Sequence, residues 1–386
     1  MIPYSKQNIN KKDTSAVLKV LKSNFLTQGP TVQKFEEKIC KLTRAKYAIA
    51  CNNGTSALHL ACLALDVKKN DIVWTVPNTF VATANCVLNC GGKIDFVDID
   101  KENFNISIVE LEKKLIRAKK KKKLPKILIP VHLGGEPTQQ KKIWHLSRKY
   151  KFKIIEDASH SIGAKHLKEP VGSCKWSHIT TFSFHPVKVI TTIEGGAALT
   201  NDKKLSEKMK LFLSNGITKN QKNFKNKKMK NCPWYYEQQE TGYNYRMSDV
   251  CAALGISQLS RLKKFIAERN KIANIYKRLL KNLPLKFQNI SKENLSTYHL
   301  LIVQFNLKKS KFSYKKIFNT LRSANFFVNL HYMPMHINPY FKKKGFRKKQ
   351  FPVAEKYGEC SLSLPVYYGI PIKKINQICR KIKSFF

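Results

Sequence analysis

Between residues 47 and 157 the chain alternates strand-like and helix-like patterns, and this alternation limits the fold more than any other feature. Short apolar runs stand at 47–51 (YAIAC), 71–76 (DIVWTV), 93–99 (KIDFVDI), 126–133 (KILIPVHL) and 151–157 (KFKIIED). Amphipathic stretches lie between them: SALHLACLAL, TFVATANCVLNCG, IVELEKKLIRA and TQQKKIWHLSRKY. Such alternation predicts a mainly parallel sheet covered by helices on both faces. Ligands in such sheets bind beyond the carboxyl ends of the strands. A helix, loop and helix over 13–45 precede this unit, with Asp13, Thr14 and Ser15 as candidate caps. A polar stretch at 215–234 reads as a long surface loop, and one helix is expected over 247–283. The expected division is a large α/β domain over 1–255, N-terminal segment included, and a smaller α+β domain over 256–386.

Composition removes several classes of function. The net charge is +47, a value that raises nucleic-acid binding. The lysines are dispersed over the whole chain, however, with no reading motif. They are read as solvated surface, with no specific nucleic-acid partner and only incidental attraction to anions. Ten cysteines are scattered with no CxxC pair, so neither a zinc site nor a redox motif is expected. Reduced thiols in a cytosol fit that pattern. No apolar run approaches the ~18 residues of a membrane span, and MIPYSKQNINKKD lacks the apolar core of a signal peptide. A cytoplasmic protein without membrane insertion is expected.

One constellation carries chemistry. The strand pattern at 154–157 ends in Glu156-Asp157, and Lys188 follows in FSFHPVKVITTIEGG. A carboxylate at a strand end with a later Lys in a polar, aromatic segment suggests pyridoxal phosphate. That cofactor needs a Lys Schiff base and an acid facing its ring nitrogen. Strand neighbours alternate sides, so Glu156 is expected to point away from Asp157. Gly54 and Thr55 open a helix directly after a strand, where free amides and the helix dipole suit a phosphate. His331 and His336 in HYMPMH are spaced like metal ligands, but Pro334 breaks the helix and no third ligand is evident. No metal is expected.

Eight segments in order, among them FLTQGPTVQKFE, NNGTSALHLA, IIEDASHSIGA and GYNYRMSD, resemble the DegT/DnrJ/EryC1/StrS family of sugar aminotransferases. The resemblance runs almost end to end. It implies fold type I, the aspartate-aminotransferase architecture, with pyridoxal 5'-phosphate as cofactor. It implies Lys188 as the Schiff-base residue and Asp157 as the partner of the ring nitrogen. Gly54, Thr55 and Ser183 would hold the phosphate, and Phe80 would stack on the ring. His160 would support either the Asp157 carboxylate or the ring hydroxyl, or be a buried structural His. Asn244 and Arg246 would reach the phosphate in a partner subunit, making a homodimer with shared sites. Thr27, Gln28, His185, His331 and His336 would face the sugar.

The opening MIPYSKQNI, with FLTQGP and SFHPVK, points within the family to amination of a UDP-linked 4-keto-6-deoxy N-acetyl sugar, for pseudaminic acid or a related surface glycan, with glutamate as donor. Amination of another nucleotide keto-sugar is the alternative. Family members that remove a sugar hydroxyl carry His at the Schiff-base position, which Lys188 argues against. Two departures stand out. Asn53 replaces a usual Ser, and Ile193 replaces a usual Gly before Glu194, restricting the backbone there.

Overall fold

The computed structural model describes all 386 residues. Seven strands form the central sheet, in the spatial order Tyr47–Cys51, Gly196–Thr200, Ile179–Ser183, Lys153–Asp157, Ile127–Leu128, Ile72–Thr75 and Lys93–Phe96. Only Gly196–Thr200 runs against the others. The six remaining strands therefore end at the same edge. The turns after Cys51, Thr75, Asp157 and Ser183 open together there.

Burial on both faces explains the nearly continuous apolar strands. Alternate residues point to opposite sides. Ile155, Ile127 and Val73 pack with helices Gly54–Ala64 and Ala82–Asn89 on one face. Ile154, Leu128 and Trp74 pack with helices Ile108–Lys120 and Gln140–Tyr150 on the other.

The C-terminal part holds an antiparallel sheet of Leu285–Phe287, Leu301–Phe305 and Ser361–Leu364, covered by helices Tyr314–Ser323 and Ile372–Lys383. Helix Leu262–Leu279 serves both cores. Its Leu262, Phe265 and Ile266 pack with Phe35 and Phe184, while Ile272, Ala273 and Tyr276 pack with Val303 and Leu364. The segment Ile2–Pro3 pairs with Phe326–Phe327 rather than with the central sheet.

Two local expectations are corrected. The first helix is capped by Asn10, whose side chain accepts from the Lys12 and Asp13 amides in a capping box. Asp13 is therefore inside the helix and fully buried, where it accepts from Ser257, Gln258 and Arg261. Residues 247–283 hold two helices, Asp249–Leu259 and Leu262–Leu279. The break falls where the Ser260 hydroxyl donates to the Ser257 carbonyl and Arg261 donates to Asn8 and Asp13. No helix is long and apolar enough to cross a membrane.

Candidate active site

The turns at the strand ends enclose a cavity of about 520 Å³. Gly54, Thr55, Phe80, Asp157, His160, Ser183, His185, Lys188 and His331 all line it. Each arrives from the carboxyl end of a strand or from the C-terminal part, as the sheet topology requires.

Asp157 ends its strand and is 5% exposed. Its Oδ1 accepts from the Ser159 hydroxyl at 2.6 Å and the Ser159 amide at 3.2 Å, and its Oδ2 accepts from the Thr83 hydroxyl at 2.7 Å. Glu156 faces the other side, taking Ser177 and Thr180 hydroxyls and the Gln140 amide. Lys188 lies deep in the fold but keeps part of its surface open to the cavity. Burial lowers its pKa to about 8, with Asp157 opposing the shift. That brings a neutral amine within reach of ordinary pH, which an exposed Lys near ~10.4 does not offer.

Three histidines adjoin Lys188 and are held neutral. Burial, and then the Lys188 charge, hold His160 well below its usual range, and the same two causes bring His331 to about 3. For His299 burial comes first and His160 second. His160 accepts from the Gly134 amide at Nδ1 and meets the Tyr332 hydroxyl at Nε2, both at 3.3 Å. Phe80 is half-exposed over the cavity, 5.8 Å from the Tyr332 ring.

The phosphate-like end is built by close approach. Helix Gly54–Ala64 begins at the cavity, capped by Asn53, whose side chain accepts from the Ser56 amide at 2.8 Å. Asn53 thus performs the cap that the usual Ser would. A Cβ on Gly54 would come within 2.8 Å of the Ser183 Cβ, so a side chain there would fill the space beside the free amides. A buried carboxylate, a Lys whose pKa burial lowers and a helix N-terminus beside a serine hydroxyl fit pyridoxal phosphate at its nitrogen, its aldehyde carbon and its phosphate.

The family model for DegT/DnrJ/EryC1/StrS aminotransferases matches residues 7–383. The chain belongs to the DegT/DnrJ/EryC1/StrS aminotransferase family. It is 36% identical, over 97% of its length and 94% of the relative's, to the UDP-4-amino-4,6-dideoxy-N-acetyl-beta-L-altrosamine transaminase of Campylobacter jejuni subsp. jejuni serotype O:2. It is 30% identical, over 100% of its length and 98% of the relative's, to the GDP-perosamine synthase of Escherichia coli O157:H7. Among solved structures, Helicobacter pylori PseC, an aminotransferase involved in the biosynthesis of pseudoaminic acid, matches with a TM-score of 0.88 at 30% identity, covering 100% of this chain and 99% of that one. This DegT-family chain is a pyridoxal-phosphate-dependent sugar aminotransferase with the family's α/β fold.

Other residues singled out in the family-like motifs lie elsewhere. His336 is buried against Glu355 at 3.0 Å, away from the cavity. Thr27 and Gln28 sit in a loop fastened to the start of helix Asp249–Leu259. Thr27 bridges Ser248, and Asp249 accepts from the Gly29 and Thr31 amides. Arg246 donates to the Ser214 hydroxyl at 2.9 Å, and Asn244 is exposed. Neither lines the cavity of its own chain.

Sequence reasoning missed Tyr4, Thr79, Thr83, His299 and Tyr332. Tyr4 lines the cavity and lies 4.5 Å from the His331 ring. Next to it, Ser5 donates to the Val187 carbonyl at 2.7 Å and accepts from Arg269. Buried Arg269 also holds the carbonyls of Tyr298, His299 and Val366. One signal was available: Arg269 falls on the apolar face of its helix, between Ile266 and Ile272. A charge at that spacing marks a buried anchor. Tyr4 stands in the family-like opening MIPYSKQNI, but nothing in that motif marks it as lining a site.

Proposed function

We propose that this enzyme moves an amino group from glutamate to the 4-keto carbon of a UDP-linked 4-keto-6-deoxy N-acetyl sugar. The observation that carries the chemistry is the pair Lys188 and Asp157 in one cavity beside the helix start at Gly54. The similarity to the C. jejuni transaminase and to PseC supports the choice of sugar. The similarity to a GDP-perosamine synthase keeps another nucleotide keto-sugar as the second reading.

Bound pyridoxal phosphate supplies the electron sink and carries the amino group between the two substrates. In this reading the chain's own groups do the rest. The amides at Gly54 and Thr55, with the Ser183 hydroxyl, hold the phosphate. Asp157 keeps the ring nitrogen protonated. Phe80 covers the ring and excludes water. Lys188 Nζ would take the proton from the donor's alpha carbon as general base and hand it to the cofactor's aldehyde-derived carbon as general acid, and would run the same transfer backwards for the sugar. A Lys already shifted to about 8 is suited to both directions. Held neutral, His160, His299 and His331 add no positive charge beside Lys188. Two half reactions through one site predict ping-pong kinetics.

The proposed assembly is a homodimer in which Asn244 and Arg246 complete the partner's phosphate site. Thr27 and Gln28 are kept as candidates for the sugar end. The proposed setting is the cytoplasm, in line with ten free cysteines. The test is incubation with glutamate and a panel of UDP-, GDP- and dTDP-linked keto-sugars, with the aminated product identified by mass. Amination of only a 3-keto or dTDP-linked sugar would replace this reading with the second one.

A further inference from the structure

We propose that Thr83, backed by Thr79, is a positioning residue that aims Asp157 at the cofactor's ring nitrogen. The proposal rests on the reading of Asp157 given above, and it concerns a hydroxyl pair in PNTFVAT to which sequence reasoning assigned no role.

An ionised carboxylate only accepts, so Thr83 must donate its single hydroxyl proton to Asp157 Oδ2, at 2.7 Å. Thr83 then has no proton left for Thr79, whose hydroxyl lies 2.9 Å away. The proton in that contact belongs to Thr79. The result is a one-way chain from Thr79 to Thr83 to Asp157, in which each bond polarises the next.

The other carboxylate oxygen is already taken. Oδ1 accepts both the hydroxyl and the amide of Ser159. Each carboxylate oxygen offers about two acceptor positions. The position left over is on Oδ2, beside the Thr83 hydroxyl. A ring N–H approaching Asp157 from the cavity would bond there, its proton staying on the ring nitrogen. Thr83 therefore fixes the carboxylate plane and, with it, the direction of the remaining lone pair.

Local structure makes this support rigid. Thr79 and Thr83 are both buried, at 2% and 0% exposure. The Thr83 amide bonds the Phe80 carbonyl at 3.1 Å. One turn of chain therefore carries the support for the acid and the aromatic wall over the ring.

The experiment compares pyridoxal phosphate with an analogue whose ring nitrogen is replaced by CH. Dissociation constants are measured for the full-length wild type, T83V, T83S and T79V, without any sugar. Removing one hydrogen bond to a charged group should weaken pyridoxal phosphate binding to T83V about tenfold. Binding of the nitrogen-free analogue should change by less than about twofold, because it has no N–H to place. T83S restores the hydroxyl and should return to within about threefold of wild type, and T79V should lose about threefold, again only for the nitrogen-bearing ligand. Wild-type affinity in T83V, or equal losses for both ligands, overturns the proposal. If T83V does not fold, T79V decides by the same comparison. These measurements use no substrate, so a wrong choice of sugar leaves the result standing. A wild type with no preference for the nitrogen-bearing ligand overturns both this proposal and the Asp157 reading.

Discussion

Ser183 stands so close to Gly54 that a methyl group on Gly54 would lie 2.8 Å from the Ser183 Cβ and 3.0 Å from its Oγ. The start of helix Gly54–Ala64 and the end of strand Ile179–Ser183 are thus fitted backbone to side chain. Gly54→Ala should push the helix start away from Ser183 and cost about 1–3 kcal/mol of stability, as overpacking does. Pyridoxal phosphate affinity should fall about tenfold or more, since the free amides move with the helix. Cofactor titration and urea unfolding of the cofactor-free protein check this. Unchanged affinity in Gly54→Ala would mean that the phosphate binds elsewhere.

Lys188 makes a prediction in pH. Its pKa is lowered to about 8, so the neutral fraction rises tenfold per unit below that value and levels above it. The rate of covalent cofactor capture, read as borohydride-fixed label on Lys188, should follow the same curve. A midpoint near the ~10.4 of an exposed Lys would contradict the burial argument. Lys188→Ala should carry no label and show no turnover. The linkage has a definite sign. The cofactor-free folded chain releases this proton before the unfolded chain does. The Lys188 contribution to stability therefore rises with pH from about 8 towards the unfolded value of ~10.4, and is flat below about 8.

The alternating sheet was readable because each parallel strand is buried on both faces and each crossover helix on one. Ile154-Ile155 and SALHLACLAL carry those burial patterns openly. That Lys188 and Asp157 would share one cavity was readable for a different reason, as the proposed chemistry calls for a Lys and a carboxylate in particular local settings. The antiparallel strand Gly196–Thr200 was less visible, because strand direction depends on its partners at 47–51 and 179–183. Tyr4 and Thr83 lie in family-like segments that gave no sign of the contacts they make. Tyr4 reaches the cavity through pairing of Ile2 with Phe326, and Thr83 meets Asp157 across 74 positions of sequence. Contacts of that range leave no period in the chain.

Ile193 is a β-branched residue at φ 71°, in the left-handed region that disfavours such side chains. Two threonines hold it there. The Ile193 amide bonds Thr191 Oγ1 at 2.9 Å, and the Thr192 hydroxyl bonds the Glu194 carbonyl at 2.7 Å. Its side chain is exposed, so little packing is lost on removal. Ile193→Gly should relieve about 1–2 kcal/mol of strain. The extra freedom of the unfolded chain should return about half of that. A net gain of several tenths to about 1 kcal/mol is expected in denaturant unfolding at constant m-value. Ile193→Val, still β-branched, should gain nothing. A less stable Gly variant would refute the strain.

The segment at 244–246 meets its own chain's 51–54 turn through the backbone, and the Tyr245 hydroxyl lies 3.1 Å from His59 Nδ1 on the helix that follows. The Tyr245 carbonyl accepts from the Asn52 amide at 2.7 Å, while the Arg246 side chain is tied to Ser214 and Asn244 is exposed. In the proposed dimer these side chains serve the neighbouring site, and complementation tests it. A Lys188→Ala chain is mixed with an Asn244→Ala/Arg246→Ala chain under conditions that exchange subunits. If sites are shared, a mixed dimer collects both lesions in one site and leaves the other whole. Each mixed dimer should then show about half the activity of a normal one. If each chain completes its own site, every site in the mixture carries a lesion and activity stays at the parental level. Inactive parents, proven exchange and no recovery would therefore refute the shared site, while leaving the Lys188 assignment in place.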